Sequence, residues 1–468
     1  MNRTVPLILA VALFMENMDS TVIATSLPAI AADIGTSPVA LKLALTAYLV
    51  SLAIFIPISS WVADRFGAKV IFRLAIAVFA IGSIGCAAAG SLGEFVLARF
   101  VQGMGGAMMT PVARLVLVRA TPKRELVSAL AWLTIPALIG PMVGPPVGGF
   151  ITTFFSWHWI FIINVPIGVL GIWLAGRFLP EIASAASAPI DIPGFILSAI
   201  AASGIVFGLS VVSLPALPPT VGIAAVLTGI AATFLYLRHA KRRANPLLNP
   251  KLFANSVFRT AVIGGSIFRI GNGAVPFLLP LLFQLGFGLT PFQSGMLTFA
   301  SAIGAFAMKF LAPGALRLGG FRTILAGSVL SSACLIATNA FFTPTTSAWL
   351  IIAVLLVGGF VRSLFFTSVN ALVFADIDDK DASQATAIGA VSQQISIALG
   401  VAIGGGALEG AAYFTGGAIS LSSFTAAFLI IAGITALSIF PFLRLAPEAG
   451  NSVSGHRLPD KSEPPQAA

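Results

Sequence analysis

Fourteen apolar runs, each of about 20 residues, follow one another from Val5 to about Leu443. A run of that length crosses a hydrocarbon core of about 30 Å as a helix. Lipid offers no partner to an open backbone, so such a chain must fold as a bundle of transmembrane helices. The runs fall at about 5–28, 39–63, 70–90, 94–118, 126–150, 157–177, 191–213, 217–237, 257–284, 292–315, 322–342, 347–371, 384–408 and 420–443. The polar/apolar alternation that a barrel strand requires is missing. Only 9% of the 468 residues are charged and 57% are hydrophobic, whereas soluble domains carry about 25% charged residues. The expected class is an all-α integral membrane protein. The first run is too long and too acidic for a cleavable signal and is expected to be retained.

The bases fix an expected topology. With the amino terminus inside, all but six of the 26 Lys and Arg fall in inside segments. These include Arg65, Lys69, Arg73, Arg119, Arg177, the cluster Arg238-His239-Ala240-Lys241-Arg242-Arg243, Arg317, Arg322 and Arg444. The other six, Lys42, Arg99, Arg114, Arg269, Lys309 and Arg362, lie within runs, and the outside loops hold none. Cytoplasmic segments are enriched in bases, so a multi-pass membrane protein with both termini cytoplasmic is expected. The net charge of +10 then reflects topology and not nucleic-acid binding. Cys86 and Cys334 sit in apolar runs, and the three His show no metal-ligand spacing, so neither a disulfide framework nor a metal site is expected.

The chain also resembles itself. A shift of 252 residues lays Arg65-Phe66-Gly67 on Arg317-Leu318-Gly319 and Val5 on Val257. Parallel repeats of six spans are a carrier plan with the substrate site between the halves. The expected organisation is an amino-terminal six-helix half at 1–190, a two-helix insert with a basic loop at 191–250, a carboxy-terminal six-helix half at 251–444 and a disordered cytoplasmic tail at 445–468.

Within the first run, Glu16 and Asp19 are three residues apart, so a helix places them on one face. A charge at bilayer depth is expensive and usually functional. Asp19 and Glu16 are therefore candidates for binding and releasing a proton, with Arg99 at similar depth in the fourth run as the base that tunes them. Asp19→Asn is expected to abolish proton-coupled transport and leave expression intact. Gln102, Arg269, Asn272, Arg362 and Asn370 are candidate cavity or substrate residues. Lys42 and Lys309 lie near span ends and are expected to snorkel; Arg114 is expected to snorkel or to pair with Asp64. An Arg in the cavity would repel a simple organic cation unless Glu16 and Asp19 outweigh it. No nucleophile or metal constellation suggests an enzyme.

Four motifs carry a family resemblance. Ala63-Asp64-Arg65-Phe66-Gly67-Ala68-Lys69 resembles the G-x-L-A-D-R-x-G-x-K/R loop signature of the major facilitator superfamily, with Ser60 for the leading Gly and Val62 for Leu. It implies a gating loop in which Asp64, Arg65, Gly67 and Lys69 act at the cytoplasmic side. Arg99-Phe100-Val101-Gln102-Gly103 is similar to the family's R-x-x-Q-G. Gly140-Pro141-Met142-Val143-Gly144-Pro145-Pro146-Val147-Gly148-Gly149 matches G-x-x-x-G-P-x-x-G-G, which in this superfamily marks exporters that exchange substrate for protons. Gly140, Gly144 and Gly148 recur every four residues and give one smooth helix face, next to Pro145 and Gly149. Asp19 to Pro28 resembles the D-x-T-I-V-N-V-A-L-P signature of the fourteen-span drug:proton antiporter branch, with Ala24 in place of the Asn. The resemblance implies a major facilitator fold and a proton-driven exporter of amphipathic small molecules or drugs. Its implied partners are that substrate, protons and the bilayer, with no cofactor beyond the proton gradient. A monomer is expected, with periplasmic efflux proteins as candidate partners. A metabolite uniporter or symporter, or a membrane sensor that does not transport, are the alternatives.

Overall fold

The computed structural model describes residues 4–122, 125–181, 189–214, 217–378 and 381–454. Fourteen helices in it are long and apolar enough to cross a membrane: α1 Thr4–Asp33, α2 Lys42–Phe66, α3 Ala68–Ala88, α4 Leu92–Ala120, α5 Ser128–Phe154, α6 Trp159–Phe178, α7 Ile192–Val212, α8 Pro219–Arg242, α9 Ser256–Gly286, α10 Pro291–Ala312, α11 Gly314–Asn339, α12 Ala348–Leu372, α13 Ala382–Phe414 and α14 Leu421–Leu443. No strand occurs among the described residues. Below, the basic end of the bundle is the end that carries Arg65, Lys69, Arg119 and Arg317.

The leading helices of the two repeats lose regularity at corresponding places. In α1 the chain tightens into a 3₁₀ turn at Ile23–Ser26, and Pro28 then opens the final segment because it has no N–H to give to the preceding turn. In α9, Pro276 and Pro280 precede a wider turn at Leu282–Gly286, with Phe287 N donating to Leu282 O at 3.1 Å. The turns at the basic end correspond too. Gly67 links α2 to α3 at φ 90°, and Gly320 breaks the run that continues from α10 at φ 62°. The left-handed glycine of the second half is thus one residue beyond Gly319, where the sequence shift had placed it.

Glycine faces set the closest contacts. In α5, a methyl placed on Gly140 would lie 2.8 Å from Phe14 O, and one on Gly148 would lie 2.8 Å from the Val22 side chain. In α13, a methyl on Gly400 would lie 3.2 Å from Ala274 N, and one on Gly404 2.7 Å from Ala274 Cβ. So α5 lies against α1 as α13 lies against α9, although α13 lacks the prolines. Between the halves, α7 packs on both α2 and α13, and α8 packs on α7.

The apolar core is divided unequally. At the basic end each half has its own cluster. One runs from Ile8 through Phe72 and Val112 to Leu133, and the other from Phe258 through Phe321 and Phe365 to Phe442. At the opposite end a single cluster spans both halves, joining Val22, Leu27 and Phe95 to Phe277, Leu281, Leu408 and Phe424. The halves therefore share a core at one end and keep separate cores at the basic end, while Val50 and Ile54 of α2, Val206 of α7 and Ala398 of α13 form a smaller shared cluster at mid-helix.

Part of the tail expected to be disordered is packed. Leu445 is buried in the second half's cluster, and Asn451–Ser454 forms a helical turn. Gly450, at φ 72°, approaches Phe321 so closely that a methyl there would lie 2.6 Å from the ring. The stretch is rich in polar residues, but Leu445 anchors its start in the core and Gly450 lets the backbone pass close to Phe321. Residues 455–468, Arg3, Lys123, Arg124 and Lys380 lie outside the described residues.

Candidate functional site

Asp19 is enclosed by side chains from three other helices. Arg99 Nη1 donates to its Oδ2 at 2.7 Å. Gln102 Nε2 and Asn164 Nδ2 donate to its Oδ1 at 2.9 and 2.7 Å. Both amides also reach Ser83 Oγ, at 2.8 and 3.3 Å, and Gln102 Oε1 accepts from Arg99 Nη1 at 2.6 Å. The Arg99 guanidinium lies 4.4 Å from the Tyr48 ring centre. Asp19 is fully buried and Arg99 is 1% exposed. A buried pair of this kind is stable only with further hydrogen bonds; here both Asp19 oxygens have donors, while Arg99 Nε and Asn164 Oδ1 stay buried without a hydrogen-bond partner.

The depth match between Asp19 and Arg99 expected from the sequence is thus realised. Gln102, expected at the cavity, is a correction: it sits wholly inside this cage, because the turn that presents Arg99 to Asp19 carries Gln102 inward with it. Ser83 and Asn164 were missed, although a Ser or Asn within an apolar run is itself a hydrogen-bonding flag.

Glu16 also points at α4, as its spacing from Asp19 predicts, but its surroundings differ. It is half-buried and accepts one hydrogen bond, from Thr110 Oγ1 at 3.0 Å. No base forms an ion pair with it among the described residues. The residues that follow Asp19 on α1, namely Ser20, Thr21 and Ala24, line a cavity of about 380 Å³ between the halves.

That cavity is walled by α1 and α5 from the first half and by α9, α10 and α12 from the second. The glycine–proline motif of α5 has two faces here. Gly140, Gly144 and Gly148 grip α1, while Pro141, Met142 and Pro145 line the cavity. Of the expected cavity residues, Arg362 and Asn370 line it. Arg269 is 6% exposed and stands behind Asn370, donating Nη2 to its Oδ1 at 2.9 Å. Asn272 is buried too and lines a smaller adjoining pocket with Arg362 and Ser332.

At the end away from the bases the halves are latched. Gln284 Nε2 donates to Thr25 O at 2.9 Å, and Phe292 N donates to Thr153 Oγ1 at 3.0 Å. Gly149 lies so near α10 that a methyl on it would sit 2.9 Å from Phe292 Cα. Lys42 corrects the snorkelling expectation. It is fully buried, forms an ion pair with Glu409 of α13 and donates to Ser213 Oγ at 2.6 Å.

At the basic end the gating-loop residues stay within the first half. Arg119, not Arg114, donates to Asp64, at 2.7 Å. Lys69 pairs with Glu181 at 3.0 Å, and Arg65 is exposed. Arg119 ends α4 one turn beyond Arg114 and so reaches the α2–α3 turn.

Two packed helical halves, joined at one end and enclosing a cavity between them, define a polytopic carrier. The sequence profile described as Major Facilitator Superfamily matches residues 9–401 and 261–463. The chain belongs to the major facilitator superfamily and is a multi-pass membrane transporter. It is 34% identical over 400 residues to "Putative multidrug resistance protein MdtD" of Salmonella paratyphi B, covering 85% of this chain and 84% of that one. It is 37% identical over 394 residues to "Probable transport protein HsrA" of Haemophilus influenzae, covering 84% and 85% of the two chains. Among solved structures, a D-xylose-proton symporter superposes with TM-score 0.69 at 14% identity over 95% of this chain and 98% of that one. A POT family transporter in complex with 5-aminolevulinic acid superposes with TM-score 0.70 at 14% identity over 96% of each chain. At that identity the likeness concerns the fold.

Proposed function

We propose that the protein is a proton-driven exporter of amphipathic small molecules across the bacterial inner membrane, working by alternating access. The observation that carries this reading is the divided core, one cluster shared between the halves at one end and two separate clusters at the basic end. With the basic end placed in the cytoplasm, the cavity faces the side from which an exporter loads. The glycine–proline motif of α5 and the relatives described as "Putative multidrug resistance protein MdtD" support the export direction.

The two carboxylates take different parts. Asp19, with three donors around it, orients α1 against α3, α4 and α6. Glu16, with one hydroxyl partner and partial exposure, carries the exchangeable proton. Glu16 releases its proton to the cytoplasm, and substrate loads into the cavity from the same side. The halves then rock about α1 and α9, the latch at the far end opens and substrate leaves. Reprotonation of Glu16 from the outside returns the carrier, and no cofactor is required.

The test is substrate flux in proteoliposomes under an imposed pH gradient. Glu16→Gln is expected to abolish gradient-driven flux while retaining exchange of substrate for substrate. Asp19→Asn is expected to lower folded yield instead, because it leaves the Arg99 charge buried without its partner. This replaces the expectation of intact expression drawn from sequence. Full gradient-driven flux in Glu16→Gln would sink the coupling assignment.

A further inference from the structure

The charge of the cavity is one-sided. Arg362, near the middle of α12, lines it, Lys309 lies toward its basic end, and no Asp or Glu is among the lining residues. Among the described residues, neither Arg362 nor Lys309 forms an ion pair. Arg362 donates Nη2 to Ser301 Oγ at 3.0 Å, which uses one of the five N–H donors a guanidinium carries. The same fold treats its other deeply placed arginine quite differently. Arg99 has a carboxylate at 2.7 Å, an amide oxygen and an aromatic face. An arginine at bilayer depth needs a counter-charge or water, and Arg362 is left to find one in the cavity.

The neighbouring groups add donors. Asn370 gives its oxygen to Arg269, so its amide NH₂ remains for a ligand. Phe306 and Phe366 supply an apolar wall. The volume of about 380 Å³ lies at the lower end of the range for drug-sized ligands.

We propose that the transported molecule carries an anionic headgroup, a carboxylate or sulfonate, on an apolar body, and that Arg362 binds that headgroup. The inference rests on reading the cavity as the transport site. Arg362 sets specificity by charge, Asn370 adds a hydrogen bond, and the aromatic wall accepts the body without demanding one shape. Export of an anion from a cell with a negative interior is also electrically favourable.

The test uses purified full-length protein and three probes with one body: 4-butylbenzenesulfonate, 4-butylbenzenesulfonamide and 4-butylbenzyltrimethylammonium. Binding is measured by titration calorimetry. The sulfonate is expected to bind at least about tenfold tighter than either other probe, the increment of a charge-assisted hydrogen bond. Arg362→Gln is expected to erase that preference by weakening the sulfonate far more than the sulfonamide, and Arg362→Lys to keep part of it. Tighter binding of the ammonium, an unaltered preference in Arg362→Gln, or no binding of any probe overturns the inference. If Arg362→Gln fails to fold, the order of the three probes on the wild-type protein decides. Flux separates this from the export reading. Gradient-driven export of the ammonium alone overturns the anion inference and leaves proton-driven export standing. A sulfonate that binds, but whose flux ignores the pH gradient, does the reverse.

Discussion

Glu409→Gln isolates the latch that keeps the far end shut. In the present state Lys42 is fully buried and Glu409 is 13% exposed. Removing one partner of a buried ion pair costs about 3–5 kcal/mol, because the other charge is left uncompensated. The partial exposure of Glu409, and the Ser213 hydroxyl that still accepts from Lys42 at 2.6 Å, place the cost at the lower end, about 3 kcal/mol. Only the conformation closed at this end bears it, since opening hydrates Lys42. The equilibrium therefore moves toward the form open at this end by about 100-fold. Spin labels on Ser37→Cys and Tyr413→Cys, one in each half and both exposed, report the separation by pulsed electron resonance once Cys86 and Cys334 are replaced. A longer distance population is expected in Glu409→Gln. The double variant Lys42→Met with Glu409→Gln leaves no orphaned charge and is expected to restore most of the short distance. An unchanged distribution in Glu409→Gln would show that the apolar cluster alone holds this end, and the electrostatic reasoning would fail.

Gly149→Ala is expected to act on the same equilibrium by sterics. Its methyl would lie 2.9 Å from Phe292 Cα, and overpacking costs about 1–3 kcal/mol. Reactivity of Thr25→Cys toward an impermeant maleimide, minimal while Thr25 is buried, should rise; no rise would refute it. Asp191, which caps α7 at the basic end, gives a pH signature. Burial pushes its carboxyl up, but hydrogen bonds from His239 at 2.7 Å and from the Gly194 and Leu247 amides outweigh that and hold it below the usual carboxylate range. A depressed value means that its stabilisation is present above about pH 4 and lost as pH falls through the folded value. Asp191→Ala is expected to cost about 1–2 kcal/mol near neutral pH and to flatten the acid limb of the thermal-unfolding profile; a wild-type acid limb in that variant would exclude the role.

The helices were legible because each has to satisfy its backbone within lipid, and that demand prints an apolar run on the sequence. The repeat was legible for a related reason, since each half needs a left-handed glycine at its basic-end turn, Gly67 in the first and Gly320, one residue beyond the sequence match, in the second. Pairing across long sequence separations was not. Lys42 and Glu409 are 367 residues apart, and a lysine near a helix end reads equally well as a snorkelling side chain. Gln102 and Arg362 show the same limit. Both are polar groups in apolar runs, but helix rotation sends one into a sealed cage and the other to the cavity wall, and neither rotation can be read without the neighbouring helix. The motif glycines fared better, because a smooth face has one use, the close approach of another helix.

The two charge systems of α1 and α12 divide the work by how fully each is satisfied. Both carboxylate oxygens of Asp19 have partners, an ion pair with Arg99 among them, so moving it would leave the Arg99 charge uncompensated at bilayer depth, and that holds the first half together about α1. Glu16 and Arg362 each hold one hydroxyl, Thr110 and Ser301, and each leaves its remaining capacity open. Groups whose partners are incomplete are the ones that a proton or a ligand can stabilise differently in two conformations, and only such a difference can drive a conformational change. A fully satisfied pair at either place would bind nothing and couple nothing. The incomplete shells of Glu16 in the first half and Arg362 in the second are therefore what would make the rocking of the halves responsive to proton and cargo.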